Sequence, residues 1–285
     1  MLLSEICIRD PFVLLEGDTY YMYGTRSSTA WTNADGFDVY KSTDLKNWSG
    51  EKEVFHNHGQ FWASHSYWAP ECIKYKGSYY LIATFGGKGR KKGIQFLKSN
   101  SPEGIFTPVG QMPVTPENWE CLDGTFYEGE NGSPYLIFSH GIPEIPRGAL
   151  CAAKLKDDFT GFEGEPKVLF YADEAEWTRP IPFAKKEFGI EGPAYFSDGP
   201  YIIKKEGKIS LLWSSWSDSG YAMGLSALEG DLFNGSWQHG RQPFVRGGGH
   251  GMVFKDKNER MILTYHSPND RLKEHPVFRP LESLT

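Results

Sequence analysis

Three aspartates and a histidine stand at the head of the same local pattern in different parts of the chain. Asp10, Asp123, Asp198 and His250 each lead into a short strand, a polar turn and an apolar run such as Tyr20-Tyr21-Met22-Tyr23 or Tyr135-Leu136-Ile137-Phe138, and Ala69 leads a fifth copy. Eleven residues after the leading residue, at the start of the apolar run, stand Tyr21, Tyr80, Ile209 and Met261, and the copy led by Asp123, whose turn is longer, takes 12 to reach Tyr135. If equivalent positions face one axis, three carboxylic acids and an imidazole converge there. No metal-ligand cluster and no Ser/His or Cys/His pair shares that register. Paired carboxylates in one pocket suit cleavage of a glycosidic bond, in which one acid stays protonated to assist the leaving oxygen and another stays ionised. Crowding between apolar walls drives their pKa values apart and creates that division of labour. Asp10, preceded by Arg9, reads as the ionised base.

The elements that must position these residues are hairpins. Glu16-Gly17-Asp18, Lys76-Gly77, Asn131-Gly132, Glu206-Gly207 and Lys257-Asn258 are turn signals between strand-like runs. Leading residues fall 59, 54, 75 and 52 apart, a period that marks a propeller built from small sheets. Third strands follow at Gly36–Lys41, Ile94–Lys98, Leu150–Leu155 and Ala222–Leu225. The expectation is an all-β, five-bladed β-propeller with four-stranded antiparallel blades around a central channel, formed as one catalytic domain by residues 1–285. Glu71 stands one position beyond Pro70, and strand alternation turns it away from that face.

Two segments between repeats are candidates for the walls of a pocket. The stretch from Glu53 to Tyr67, just before Trp68, carries Phe55, His56, Phe61, Trp62 and His65, and it serves either as a sugar platform or as packing between blades. The long interval holds an insertion from about Asp173 to Tyr195, with Trp177, Arg179 and Glu191-Gly192-Pro193. Long loops on a rigid scaffold commonly carry specificity.

A net charge of −6 over 285 residues leaves no basic footprint for nucleic acid or an anionic membrane. No window reaches membrane-spanning length. The N-terminus lacks the basic and apolar regions of a signal peptide, so a cytoplasmic location is expected. Of the four cysteines, Cys7, Cys72 and Cys121 sit within three residues of leading positions and are expected as buried, reduced thiols, with Cys151 likewise outside any metal-site spacing.

Taken together, Arg9-Asp10-Pro11, Trp68-Ala69-Pro70-Glu71, Leu122-Asp123-Gly124-Thr125, the acidic Gly-Pro motifs at Glu191 and Asp198, and Gly249-His250-Gly251 resemble glycoside hydrolase family 43 over almost the whole chain. The resemblance implies an inverting hydrolase that removes a terminal pentose, α-L-arabinofuranose or β-D-xylose, from short oligosaccharides. It implies Asp10 as general base and Asp123 as the acid that raises the pKa of the proton donor and orients it. For the donor itself, repeat register selects Asp198 whereas the family's usual Glu-Gly-Pro letters select Glu191. His250 matches a histidine beneath the sugar that helps hold a water-ligated calcium or sodium ion in the channel. No cofactor is required for the reaction. Trp62, Trp68 and His140 are expected to contact the sugar, with Gly141-Ile142 standing where relatives carry Glu-Trp, and Arg279 and Arg271 to donate to hydroxyls. Two rival readings are a non-catalytic carbohydrate-binding propeller and a related five-bladed hydrolase acting on fructosides.

Overall fold

The computed structural model describes residues 1–281. Five antiparallel sheets follow one another along the chain and form a five-bladed β-propeller. Blade I comprises Ile8–Glu16, Thr19–Arg26, Gly36–Ser42 and Lys52–His56. Blade II comprises His65–Tyr75, Ser78–Gly86, Gly93–Ser99 and Thr107–Pro108. Blade III runs through Cys121–Glu128, Pro134–His140, Ala149–Lys154 and Lys167–Tyr171. Blade IV runs through Asp198–Lys205, Lys208–Ser217, Gly220–Glu229 and Ser236–His239, with Val245–Arg246 pairing beside the third strand. Blade V has Gly249–Lys255, Met261–Ser267 and His275–Pro280, three strands among the described residues rather than the expected four.

The innermost strand of each blade is broken near the axis. Its register slips between Arg9 and Phe12, between Trp68 and Glu71, between Asp198 and Tyr201 and between Gly249 and Met252; in blade III the slip lies opposite Ile137 and Ser139. At the break sits a residue with left-handed backbone: Asp10 (φ 53°), Ala69 (47°), Asp123 (56°), Gly199 (49°) and His250 (47°). Such a bulge releases one N–H from its own ladder. That N–H crosses to the neighbouring blade. Ala69 donates to Thr25 Oγ1 at 2.7 Å, Asp123 to Thr84 Oγ1 at 2.8 Å and His250 to Ser214 Oγ at 2.8 Å. Asp10 closes the circle by donating to His266 Nδ1 at 3.3 Å.

This frame corrects the repeat register in blade IV. The bulge there is Gly199, and Asp198 stands one residue earlier, equivalent to Arg9, Trp68, Leu122 and Gly249. The cause is Ser210, which occupies the apolar position matching Tyr21, so counting along apolar residues begins one residue early. Glycine is required at 199 because a Cβ would lie 2.6 Å from His250 Cγ, whereas the left-handed φ alone is met by residues with a Cβ at the other four breaks.

Packing between blades supplies the core. Phe37, Phe55, Phe61, Tyr67 and Phe85 form one aromatic cluster with ring centroids 4.9–6.5 Å apart. The aromatic segment before Trp68 is therefore chiefly inter-blade packing, apart from Trp68 itself. Trp177 of the insertion is likewise buried, 4.9 Å from Trp213. Cys72, Cys121 and Cys151 are buried free thiols as expected, whereas Cys7 is exposed, its Sγ 3.4 Å from the Leu272 carbonyl oxygen.

The inter-blade hydrogen bonds yield a direct test. Thr84→Val removes the acceptor of the Asp123 N–H at constant shape, and leaving a buried N–H unpaired costs about 1–3 kcal/mol. Urea denaturation is expected to show that loss for Thr84→Val and little of it for Thr84→Ser, which keeps the hydroxyl.

Candidate active site

The bulges deliver their side chains to one end of the channel, where a cavity of about 590 Å³ opens. Asp10, Asp123, Asp198 and His250 all line it. His250 Nδ1 lies 3.3 Å from Asp10 Oδ1, 3.3 Å from Asp198 Oδ1 and 3.7 Å from Asp123 Oδ2. One imidazole thus faces three carboxyl groups. Burial alone would make it neutral, but the charges of Asp10, Asp123 and Asp198 outweigh burial and push it up to about 10. At neutral pH it is an imidazolium.

The carboxyl groups then divide. Burial raises the Asp10 pKa, yet the His250 charge and the Arg9 charge overcome it and hold Asp10 well below the usual range. The Thr25 hydroxyl donates to Asp10 Oδ2 at 2.6 Å, which also favours the carboxylate. His266 donates from Nε2 to Asn269 Oδ1 at 3.2 Å and accepts the Asp10 N–H at Nδ1, which assigns it the neutral tautomer. Burial and then Arg9 keep its pKa low.

Asp123 and Asp198 are a different case. They share a hydrogen bond, and burial together with the Asp198 charge holds Asp123 well above the carboxylate range. Two buried carboxyls so close cannot both ionise, so the pair retains one proton. Tyr221 donates to Asp198 Oδ2 at 2.9 Å, and its ring stacks on His266 with centroids 5.6 Å apart.

Beneath this cluster Glu71 is buried against Thr125, Phe126 and the His250 charge, with its pKa pushed up to about 8 by burial. The extra residue in the bulge reverses the alternation that would have turned it outward.

Trp68 lines the cavity as expected, its indole N–H donating to the Ala30 carbonyl oxygen at 2.6 Å. Four other sequence-predicted residues lie elsewhere. Glu191 is exposed on the insertion, 2.9 Å from Lys185, so the letters Glu-Gly-Pro mark a surface turn. Trp62 donates to Gln95 Oε1 at 2.7 Å and borders a separate small hollow. His140 is packed flat on Trp119 at 4.2 Å with Nε2 3.0 Å from Glu144, and the following Gly141 and Ile142 reach the cavity instead. Arg279 is exposed on the outer strand of blade V, over Tyr265, whereas Arg271 does line the cavity.

Sequence reasoning missed Trp31, which is T-shaped against Trp68 with centroids 5.3 Å apart, together with Tyr221 and Glu274. Trp31 sits in the irregular stretch after the Thr19–Arg26 strand, and its isolation there was the one available signal. Phe183 and Phe188 of the insertion also line the cavity. The closest metal-compatible grouping among the described residues is Asp123, Asp198 and His250, whose ligand atoms lie within 4.8 Å of one another. A cation held directly there would have to displace the proton on the imidazole and the one shared by the carboxyls, since only deprotonated groups ligate.

Comparison with known proteins gives a consistent relationship. The sequence model of Glycosyl hydrolases family 43 matches residues 4–282. The chain is 28% identical over 146 residues to an extracellular endo-α-(1→5)-L-arabinanase of Bacillus subtilis, covering 47% of this chain and 44% of that protein. It is 25% identical over 254 residues to an extracellular exo-α-(1→5)-L-arabinofuranosidase of Cellvibrio japonicus, covering 80% of this chain and 62% of that protein. The chain therefore spans less than two thirds of the length of these curated relatives. An endo-arabinase structure from Bacteroides thetaiotaomicron superposes with a TM-score of 0.88 at 35% identity, covering 98% of this chain and 96% of that one.

The protonation pattern predicts how stability depends on pH. Glu71 titrates near 8 folded and near 4.5 otherwise, so the folded state binds its proton more tightly and loses stability as pH rises through that window. His250, near 10 folded against 6.5, contributes stability present below 6.5 and lost as pH rises towards 10. Urea midpoints of the parent and Glu71→Gln are expected to diverge from pH 5 to 8 in favour of the variant. The gap widens by at most about 1.4 kcal/mol per pH unit, and above pH 8 both decline in parallel.

Proposed function

The chain belongs to glycosyl hydrolases family 43, and on that footing we propose that it releases terminal α-L-arabinofuranose from short arabino-oligosaccharides with inversion of configuration. The observation that carries the reading is the gathering of Asp10, Asp123 and Asp198 around the His250 imidazolium in one cavity. Arabinofuranose is favoured over xylose by the arabinan-directed names of the curated relatives and of the 35%-identical structure. The aromatic lining, Trp31 and Trp68 with Phe183 and Phe188, suits a short chain held on stacking platforms.

In this mechanism ionised Asp10 takes a proton from water as the water attacks the anomeric carbon. The bond from that carbon to the leaving oxygen breaks, and the oxygen receives the proton carried by the Asp123–Asp198 pair. Asp198 is the donor, because it stands at the pocket wall and is aimed by Tyr221, while Asp123 keeps the proton in the pair until the leaving oxygen arrives. Every role falls to side chains of the chain itself, and no step passes through a channel ion.

Inversion needs carboxyls roughly 6.5–9.5 Å apart so that water fits between base and sugar. Asp10 Oδ1 and Asp198 Oδ1 both lie 3.3 Å from His250 Nδ1, so they are at most about 6.6 Å apart and at or below the lower edge of that range. We propose that substrate draws Asp198 off the imidazole, widening the gap as the sugar enters.

Three outcomes are expected with aryl α-L-arabinofuranosides and arabinobiose. Asp10→Asn and Asp198→Asn each lower kcat/KM about 10²–10⁴-fold, the contribution of one general acid or base, while Glu191→Gln matches the parent. Proton NMR at early times shows the β-anomer forming first, and the α-anomer appearing first would sink the single-displacement mechanism. Tyr221→Phe lowers kcat several-fold at unchanged KM, since it removes the bond that aims the donor.

A further inference from the structure

Beside Asp10 the cavity wall contains a buried ion pair that the mechanism above does not use. Arg9 Nη1 donates to Glu274 Oε1 and to Asn269 Oδ1, each at 2.9 Å. The side chains are 13% and 1% exposed, respectively for Arg9 and Glu274. Both residues and Asn269 line the cavity. The pair is half used. Among the described residues, Glu274 Oε2 is buried with no hydrogen-bond partner, although a carboxylate oxygen normally accepts at least one donor. The Arg9 guanidinium forms hydrogen bonds through Nη1 alone, although it carries five N–H donors. Its face rests over the Trp31 ring at 5.5 Å, which covers it from solvent.

A brace between blade I and the loop before the last strand would need only the contact already made. The unspent half leaves a buried acceptor, Glu274 Oε2, and the remaining Arg9 donors on two residues that line a sugar-sized cavity, adjacent to the proposed base. Two neighbouring hydroxyls match that arrangement: one donates to the carboxylate and the other accepts from the guanidinium. We infer that Arg9 and Glu274 form a clamp for a vicinal diol of the sugar ring cleaved at Asp10, and so select its configuration.

The inference rests on the hydrolase reading above and names the group of the substrate that is recognised. A buried polar site of this kind rejects an analogue that lacks the hydroxyl far more strongly than an apolar wall rejects one that adds it. The clamp therefore penalises a missing hydroxyl.

The test compares parent, Glu274→Gln and Arg9→Lys on 4-nitrophenyl α-L-arabinofuranoside and on its 2-deoxy and 3-deoxy forms. The parent is expected to lose about 10–100-fold in kcat/KM on a deoxy form, the range for a charge-assisted hydrogen bond. Glu274→Gln is expected to lose a similar factor on the intact glycoside and little more on that deoxy form. Equal losses from Glu274→Gln on intact and deoxy substrates would overturn the clamp and leave a structural brace. Thermal melting of each variant separates misfolding from lost recognition, and Arg9→Lys, which keeps charge but not the fork, supplies the second variant. A parent inert towards pentosides would overturn the hydrolase reading instead. The same comparison, run on dissociation constants of L-arabinose and its deoxy forms, would then decide the clamp, with absence of any preference for the intact sugar overturning it.

Discussion

A backbone N–H that its own blade cannot satisfy is the constraint on which this propeller depends. Each inner strand enters the left-handed region at the axis, a conformation that costs on the order of 1 kcal/mol or more for a residue with a Cβ. Four of the five positions are nonetheless Asp, Ala, Asp and His. The strain is offset because the released N–H finds an acceptor on the adjacent blade, so one hydrogen bond satisfies the backbone and joins two sheets. Thr25, Thr84, Ser214 and His266 occupy equivalent places on second strands and act as those acceptors. The contact from Asp10 to His266 joins the first blade to the last and replaces the continuous edge that a closed barrel would have. Blade III departs from the pattern: Ser139 Oγ is buried without a partner, and the Gly199 N–H faces Asp123 Oδ2 at 3.4 Å. The departure falls at the blade boundary where the shared proton resides.

The same device explains the electrostatics. A bulge turns its side chain toward the axis, which brings Asp10 and Asp123 to His250, and Asp198, one residue before the blade IV bulge, joins them with little water to screen the three acidic groups. Like charges at such spacing in a low-dielectric site repel strongly enough to prevent joint ionisation. Two events relieve this: His250 takes up a proton, and Asp123 and Asp198 retain one between them. Asp10 is thereby free to remain ionised. Neither the proposed base nor the proposed acid is set apart by its own residue type, since both are aspartates. The environment assigns the roles, and that environment is the product of five bulges at fixed spacing.

Legibility in the sequence followed the range of the forces involved. Hairpins are local, so Gly-containing turns and apolar runs disclosed five blades and placed Asp10, Asp123 and His250 at the axis. Asp198 was found by a count that slipped one residue at Ser210, and it reached the site because a residue flanking the bulge also borders the cavity. Glu191 shows the hazard of letters without geometry: the insertion folds Glu-Gly-Pro into an exposed turn paired with Lys185. Trp62 and His140 carried the right chemistry at the mouth of a strand, but Gln95 and Trp119 claim them. Tyr221, His266 and Glu274 carried no signal, because they enter from second strands, third strands and a terminal loop, and their partners are more than twenty residues or a whole blade away.

Asp198, the donor proposed above, is one methylene shorter than a glutamate, and its place in blade IV bears on that difference. Asp198 lies immediately before Gly199, the only ring position without a Cβ, and that absence lets the blade IV backbone approach His250 closely. The backbone thus advances where the side chain falls short. Tyr221 fixes the far oxygen and stacks on His266, which in turn holds the Asp10 N–H and faces Arg9 through Asn269. Acid, base and the Arg9–Glu274 pair are therefore linked through one continuous set of buried contacts spanning blades IV, V and I. A displacement of the sugar against Glu274 would be felt at Asp10 through neighbouring Arg9, and a displacement of Asp198 would be felt at His266 through Tyr221.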